Sequence, residues 1–525
     1  MRRWGAADWA CLGAVLLVAA ALRLYALGYG LPRVVYVDSF MYVGEAGRML
    51  EPGPYLPESF YYPSGFMDLL AGLYWLFDID TVYARHLAAR VVSAVFGLLL
   101  VTVVYVLVRR GVSTRAALIA AALTAVCPVL VTSARIEATD SMVVFLMTAT
   151  LALAGSFSQR LGTWLLIGGL GGLAAGTKYS GALVVAFAVL AAAIAAWSSG
   201  RWKRSLGHAA VACAVAAVVF SAATPWFFAH YAEYASWFET LSLAERGGQI
   251  GRVQASAWDY FISPTPTWEQ PWLGTSFLGN LGAVLFLAAL ASWAWAMLGY
   301  GGGRRRYEAL YVLVFLALMV GAGRVKAIRY VSPTLPVLFV LIGCASDRML
   351  ARLPRWATPL LLALLVARPA SVSAQYAAMA SRPTTNDLAH TWLEQNVPPR
   401  SRVFFSPLFV DDLMDLPFQP ILISSAGNRQ YRLPEGKGPS IERSPMFSAT
   451  LFEQMRAAHV QYAVVNSWFV DAFAPVPENL LFFPNAVASY REFWQRLESS
   501  ATLRWRVAGW EDGRLGPSIA IYQLE

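Results

Sequence analysis

The chain has 525 residues, 57% of them hydrophobic and only 14% charged, against roughly 25% charged residues in soluble domains. That balance excludes a single soluble core and implies an integral membrane protein with many helical spans. The net charge of +9 is read as topological, because Lys and Arg gather in short cytoplasmic loops, and no nucleic-acid partner is expected.

Apolar runs of near-spanning length begin at once. "MRRW" followed by 9–27 has the look of a signal peptide, but further spans follow it, so a retained first helix is expected. The other predicted spans are 82–108, 115–134, 141–157, 162–178, 181–198, 207–226, 277–299, 307–323, 331–347 and 357–374. The expectation is therefore a polytopic α-helical membrane protein with about eleven crossings. Cys11, Cys127, Cys213 and Cys344 lie in or beside these runs without metal-ligand spacing and read as small packing residues.

Loop charge gives the orientation. With the N-terminus inside, "RRGVSTR", "SQR", "SSGRWKR", "GGGRRR" and "DRMLARLPR" all fall inside, and all are basic. This places the loops 28–81 and 227–276 and everything after about 380 outside, at a plasma (inner) membrane. In the first loop, "LEPGPYLPESFYYPSG" is turn-rich, and "FMDLLAGLYWLF" (66–77) is too short to span and suits an interfacial helix. Residues 1–379 thus form the membrane part. Residues 380–525 read as a soluble α/β domain: a helix capped by Asn386 or Thr385, then strands near "RVFF", "HVQYAVVNS" and "PSIAIYQL".

Charges at helix ends beside the membrane are costly and so are functional candidates. Asp38 and Glu45 lie in "YVDSFMYVGEAGRM". Arg135, Glu137 and Asp140 lie in "ARIEATDSM", Lys178 in "GTKYSG", and Arg324, Lys326 and Arg329 with Tyr330 in "GRVKAIRYVSPTLP". All fall on the outer side, which describes a polar cavity there. Plainer roles stand beside this one. Arg23 and Lys178 suit interfacial anchors, the 324–329 cations suit anionic lipid, Glu45 a solvated face, and Asp38 the cap of a helix 39–49 that would put both carboxylates on one face. Carboxylates deprotonate an acceptor or hold a divalent ion, while clustered cations and a Tyr suit a phosphate. A sugar on a lipid phosphate meets both needs.

The order of these features resembles the GT-C membrane glycosyltransferases, in particular the protein O-mannosyltransferase and lipid A aminoarabinose transferase superfamily. The motifs are "YVDSFMYVGEAGRM", "FYYPSGF", Arg90 in "ARVVSAVFG", the 135–140 loop, "AAGTKYSG" and "IRYVSPTLP". The second acidic residue usual after the first is here Ser39. The resemblance implies a transferase that moves a sugar from a polyprenyl-phosphate donor to a protein, lipid or glycan by inverting displacement. Asp38 would be the base, aided by Asp140 or Glu137. Lys178, Arg324, Lys326, Arg329, Tyr330 and Arg135 would hold the donor phosphate, and Glu45, Tyr42, Tyr61, Tyr62 and Arg90 would line the acceptor side. Family members differ in metal use; a Mg, Mn or Zn ion here would sit on Asp38 and Asp140. The alternatives are a flippase of lipid-linked sugars, or an arabinose transferase on the same fold. A flippase fits less well, because no repeated half is visible.

Overall fold

The computed structural model describes residues 4–34, 36, 38–53, 55, 57, 60, 62–236, 261–262, 276–322, 328–406, 416–424, 440–442, 450–467 and 484–524. Among these, Ala6–Leu24 (α1), Val82–Gly111, Tyr179–Ser199, Trp202–Ala223, Phe277–Met297, Ile328–Leu350 and Ala357–Met379 are long and apolar enough to cross a membrane. Thr114–Val126, Asp140–Ala154 and Leu161–Thr177 are apolar but shorter. Gly303–Ala322 opens on Arg304, Arg305 and Arg306. A helix thus stands on each predicted span, and the chain is a multi-pass membrane protein.

The predicted span 115–134 is not one helix. It ends at Val126 and restarts at Pro128, running to Ser133. Pro128 has no N–H to give the Thr124 carbonyl. In an apolar interior such carbonyls need another donor. Arg23, fully buried, donates to Thr124 O at 3.2 Å and Ala125 O at 2.8 Å, and Ser373 Oγ donates to Val126 O at 2.8 Å. Arg23 is therefore part of the bundle rather than a snorkelling anchor. At the other end of α1, Asp8 takes Arg109 Nη2 at 2.8 Å and Thr114 Oγ1 at 2.6 Å, which ties three helix ends together. Small residues let Leu161–Thr177 lie close on Trp202–Ala223. A Cβ on Gly172 would stand 2.6 Å from Ala216 O.

The segment 66–77 forms the helix Gly65–Phe77, as its length suggested. Phe66, Met67, Leu70, Ala71 and Tyr74 are buried, while Trp75, Leu76 and Phe77 are exposed, which suits a helix lying along lipid.

After the last membrane helix comes Thr385–Asn396. Its N-cap is Thr384, one residue before the expected position, in a capping box with Asp387. Then follow Arg402–Phe405 (β1), Gln419–Ser424 (β2), Ser440–Glu442 (β3), Tyr462–Asn466 (β4), Ala501–Val507 (β5) and Ile519–Leu524 (β6), in the order β3-β2-β1-β4-β6-β5. β1 pairs in parallel with both β2 and β4, and β6 is antiparallel to β4 and β5. Alternation sends Val403, Phe405, Val464 and Ile521 to the face covered by Ala389 and Leu393. Phe404, Ala463 and Val465 face Leu451, Met455 and Phe493. The helix Thr385–Asn396 also reaches the first loop. Asn386 Nδ2 donates to Val34 O at 3.1 Å, and Arg33 lies 3.5 Å from Asp387.

Candidate active site

Four segments distant in sequence meet at one end of the bundle. The first loop brings Asp38, and the helix Asp140–Ala154 brings its first residue. Lys178 follows the end of Leu161–Thr177, and Arg329 lies on the 3-10 turn Ile328–Thr334. Each is held by local chemistry. Pro333 and Pro336 favour the tight 3-10 turn ahead of the next helix. Lys178 is extended, φ −154°, and breaks its helix, and the chain then re-enters a turn over Gly181. A Cβ at Gly181 would strike the Ala174 carbonyl.

The charges pair across these segments. Arg329 Nη1 lies 3.0 Å from Asp38 Oδ2, and Lys178 Nζ lies 2.8 Å from Asp140 Oδ1. Aromatic rings lie beside both cations. Lys178 lies 5.2 Å from the Tyr330 ring and 5.7 Å from that of Tyr62, and Arg329 lies 5.3 Å from Tyr330 and 5.5 Å from Tyr36. Tyr42 is buried with its ring 5.1 Å from Tyr62, within electrostatic reach of both carboxylates. Asp140 Oδ2 is buried and has no hydrogen-bond partner among the described residues. A buried acceptor left unpaired is costly, so this corner favours a ligand that donates to it.

Asp38 precedes the helix Ser39–Arg48, but its side chain makes no cap bond. This corrects the capping expectation: the carboxylate turns away from the helix N–H groups to Arg329 and the Tyr36 hydroxyl, 3.1 Å distant. Burial and the neighbouring Asp140 carboxylate push Asp38 up to about 6, against the pull of Lys178. The side chain keeps 24% exposure, enough for a reactant to reach it.

Other expected site residues are engaged elsewhere. Glu45 is buried and takes Arg48 at 3.1 Å and the Tyr55 hydroxyl at 2.8 Å, a partner set separate from that of Asp38. Glu137 is fully buried, with Oε2 on Ser39 Oγ at 2.7 Å and Oε1 on Arg90 Nε at 2.8 Å and His86 Nδ1 at 3.2 Å. Burial alone would raise it, but Arg90, His86 and Ser39 hold it down at about 2. It is poorly placed to take a proton. Arg90 also donates to the Leu27 and Tyr29 carbonyls, and Arg135 to those of Leu22 and Tyr25, both at 2.7 Å. Arg135 is thus spent on the end of α1, not turned to a phosphate. Tyr61, Arg324 and Lys326 lie outside the described residues.

Sequence reading passed over Tyr36, His86 and the Tyr29–Tyr376 pair, whose hydroxyls are 2.9 Å apart. Ser39, marked as a departure, gains a reason. A carboxylate there would face Glu137, whereas the hydroxyl donates to it. Glu137→Gln keeps the shape but leaves buried Arg90 without its countercharge. The expected loss is about 3–5 kcal/mol, read as a lower Tm in thermal unfolding of the purified protein.

Among the described residues the pocket offers a divalent ion two carboxylates, Asp38 and Asp140. Each already faces a cation, and no group of three His, Cys, Asp or Glu side chains gathers among the described residues.

The comparisons agree with this architecture. Residues 75–226 match the family model described as dolichyl-phosphate-mannose-protein mannosyltransferase. ArnT from Cupriavidus metallidurans is similar in structure over 98% of each chain, with TM-score 0.56 at 17% identity in the apo state and 0.56 at 15% bound to undecaprenyl phosphate. This chain has the GT-C fold. A second GT-C structure, the Archaeoglobus fulgidus oligosaccharyltransferase tethered with an acceptor peptide containing the NVT sequon, is similar over 95% of this chain and 73% of its own. Its TM-score is 0.57 at 13% identity. No curated protein matches in sequence. On this GT-C frame the family-model match spans Arg90, Arg135, Glu137, Asp140 and Lys178, but not Asp38 or Arg329.

Proposed function

We propose that the protein transfers a sugar from a polyprenyl-phosphate donor to an acceptor, and that Asp38 is the base. The observation that carries this reading is the crossed pairing of Asp38 with Arg329 and Asp140 with Lys178 in one tyrosine-lined pocket. Two cations at one depth suit a phosphodiester whose lipid tail stays in the membrane. When the phosphate engages them, Arg329 is drawn from Asp38. The acceptor O–H or N–H then attacks the anomeric carbon from the face opposite the phosphate. The C–O bond to phosphate breaks, polyprenyl phosphate leaves with the electron pair, and the acceptor proton passes to Asp38. The cations offset the charge on the leaving phosphate. Asp140 holds Lys178, and its free oxygen accepts from the sugar. Glu137, Arg90 and Arg135 fix the loops that carry these groups. The ArnT complex with undecaprenyl phosphate supports a lipid phosphate as the ligand class.

The base works only when ionised. Its pKa of about 6, against the ordinary 3.8, sets the sign: transfer is lost as pH falls through about 6. The test is the acid limb of kcat/KM for release of polyprenyl phosphate by purified protein, assayed with a panel of polyprenyl-phosphate hexoses and pentoses. A limb near 6 supports the reading, and activity undiminished at pH 4.5 contradicts it.

We further place the pocket and residues 380–525 on the extracytoplasmic side of the plasma membrane. In a cysteine-free background, Ser499→Cys is expected to react with an impermeant thiol reagent in intact cells and Ser199→Cys only after lysis; both positions are exposed. The reverse pattern overturns the orientation.

A further inference from the structure

We propose that Tyr36 is a positioning residue for the proposed transfer: its hydroxyl holds Asp38 Oδ2, so that Oδ1 faces the acceptor throughout the reaction. The proposal rests on the reading of Asp38 as base.

A free carboxylate turns about its Cβ–Cγ bond and presents either oxygen. Here two donors fix it, and both take Oδ2: Tyr36 Oη at 3.1 Å and Arg329 Nη1 at 3.0 Å. They differ in what happens next. Arg329 is a cation at the place where the donor phosphate would bind, so phosphate and Asp38 compete for it. The phenol is neutral at working pH and carries no charge for the phosphate to draw away. Tyr36 therefore keeps its hold when Arg329 turns. Its own position is well determined. It is 6% exposed, and its ring lies 5.5 Å from the Arg329 guanidinium. The chain just before it is gripped by Asn386, which donates to Val34 O. The chain turns here, with Ser39 N–H donating to Tyr36 O at 3.1 Å and Asp38 in the helical region (φ −74°, ψ −11°), and the phenol stands within hydrogen-bond reach of the carboxylate.

A donor to the ionised carboxylate favours that form, so removing it raises the pKa. Asp38 can be titrated in the purified protein by infrared difference spectroscopy of the protonated carboxyl band, identified by its absence in Asp38→Asn. Tyr36→Phe keeps the ring and removes the oxygen. The expected midpoint is about one pH unit higher than in the wild type, both with and without undecaprenyl phosphate. On the panel of polyprenyl-phosphate sugars, kcat is expected to fall about tenfold with the donor KM unchanged. If Tyr36→Phe does not fold, 3-fluorotyrosine at position 36, a stronger donor, is expected to move the midpoint down instead. An unmoved midpoint with either replacement overturns the proposal. So does a fall in kcat without a shift, which is what a merely structural role would give. Full transfer by Asp38→Asn overturns the underlying reading instead, so the two failures are told apart.

Discussion

The Asp38→Asn protein is expected to insert and purify as the wild type does and to lose transfer by about 10²–10⁴-fold, the usual contribution of a positioned base. Asn keeps the shape and can still meet the Tyr36 hydroxyl through its oxygen, but it cannot take a proton. Arg329 loses its partner, yet in the loaded site it faces the donor phosphate, so donor KM should change little. The measurement is initial rate against donor concentration for both proteins, with size-exclusion elution as the control for folding. Near wild-type kcat in Asp38→Asn would move the base to Asp140, the other carboxylate of the pocket.

The second large effect is expected at the cations. Lys178→Ala and Arg329→Ala each remove a charge-assisted contact, worth about 1.5–3 kcal/mol, or roughly tenfold to 150-fold in kcat/KM for the donor. Lys178→Ala should be the worse of the two, because it also leaves the Asp140 carboxylate, 1% exposed, without its cation. Loss of that cation near Asp38 raises the Asp38 pKa further, so the acid limb moves to higher pH. Titration with undecaprenyl phosphate, the lipid-phosphate part of the donor, followed by native mass spectrometry checks the binding part. Unchanged binding in the double variant would reassign both cations to general lipid contact.

Much of the fold was legible because the bilayer makes hydrophobic length decisive. Each predicted span is helical, 115–134 as two helices broken at Pro128, and the short run at 66–77 forms a helix of its own. Composition does not show how backbone carbonyls are satisfied at a break. "VCPVL" has the Pro that ends a helix at 126, but nothing nearby names Arg23, about a hundred residues earlier, as the donor. The site was legible at the level of which segments carry charge. Which charges face one another was not, since pairing is set by tertiary contact. Asp38 and Glu45 are spaced for one helical face, yet the first turns to Arg329 and the second to Arg48 and Tyr55. Arg135 and Glu137 had the right residue types in the right loop and are spent on bracing it. Tyr36 was not legible, because it meets Asp38 through a turn, Ser39 N–H to Tyr36 O, that the residue types do not signal.

The most direct test of the central claim is a single-turnover assay. Purified wild-type and Asp38→Asn proteins are each mixed in excess with a labelled polyprenyl-phosphate sugar from the panel and with membrane extract as acceptor source. Free polyprenyl phosphate and labelled acceptor are then followed together. The account predicts that for at least one donor the wild type releases polyprenyl phosphate and labels acceptor in equal amounts, while Asp38→Asn binds that donor and releases polyprenyl phosphate about 10²–10⁴-fold more slowly. Equal release by the two proteins, or no release by the wild type from any donor in the panel, would contradict it.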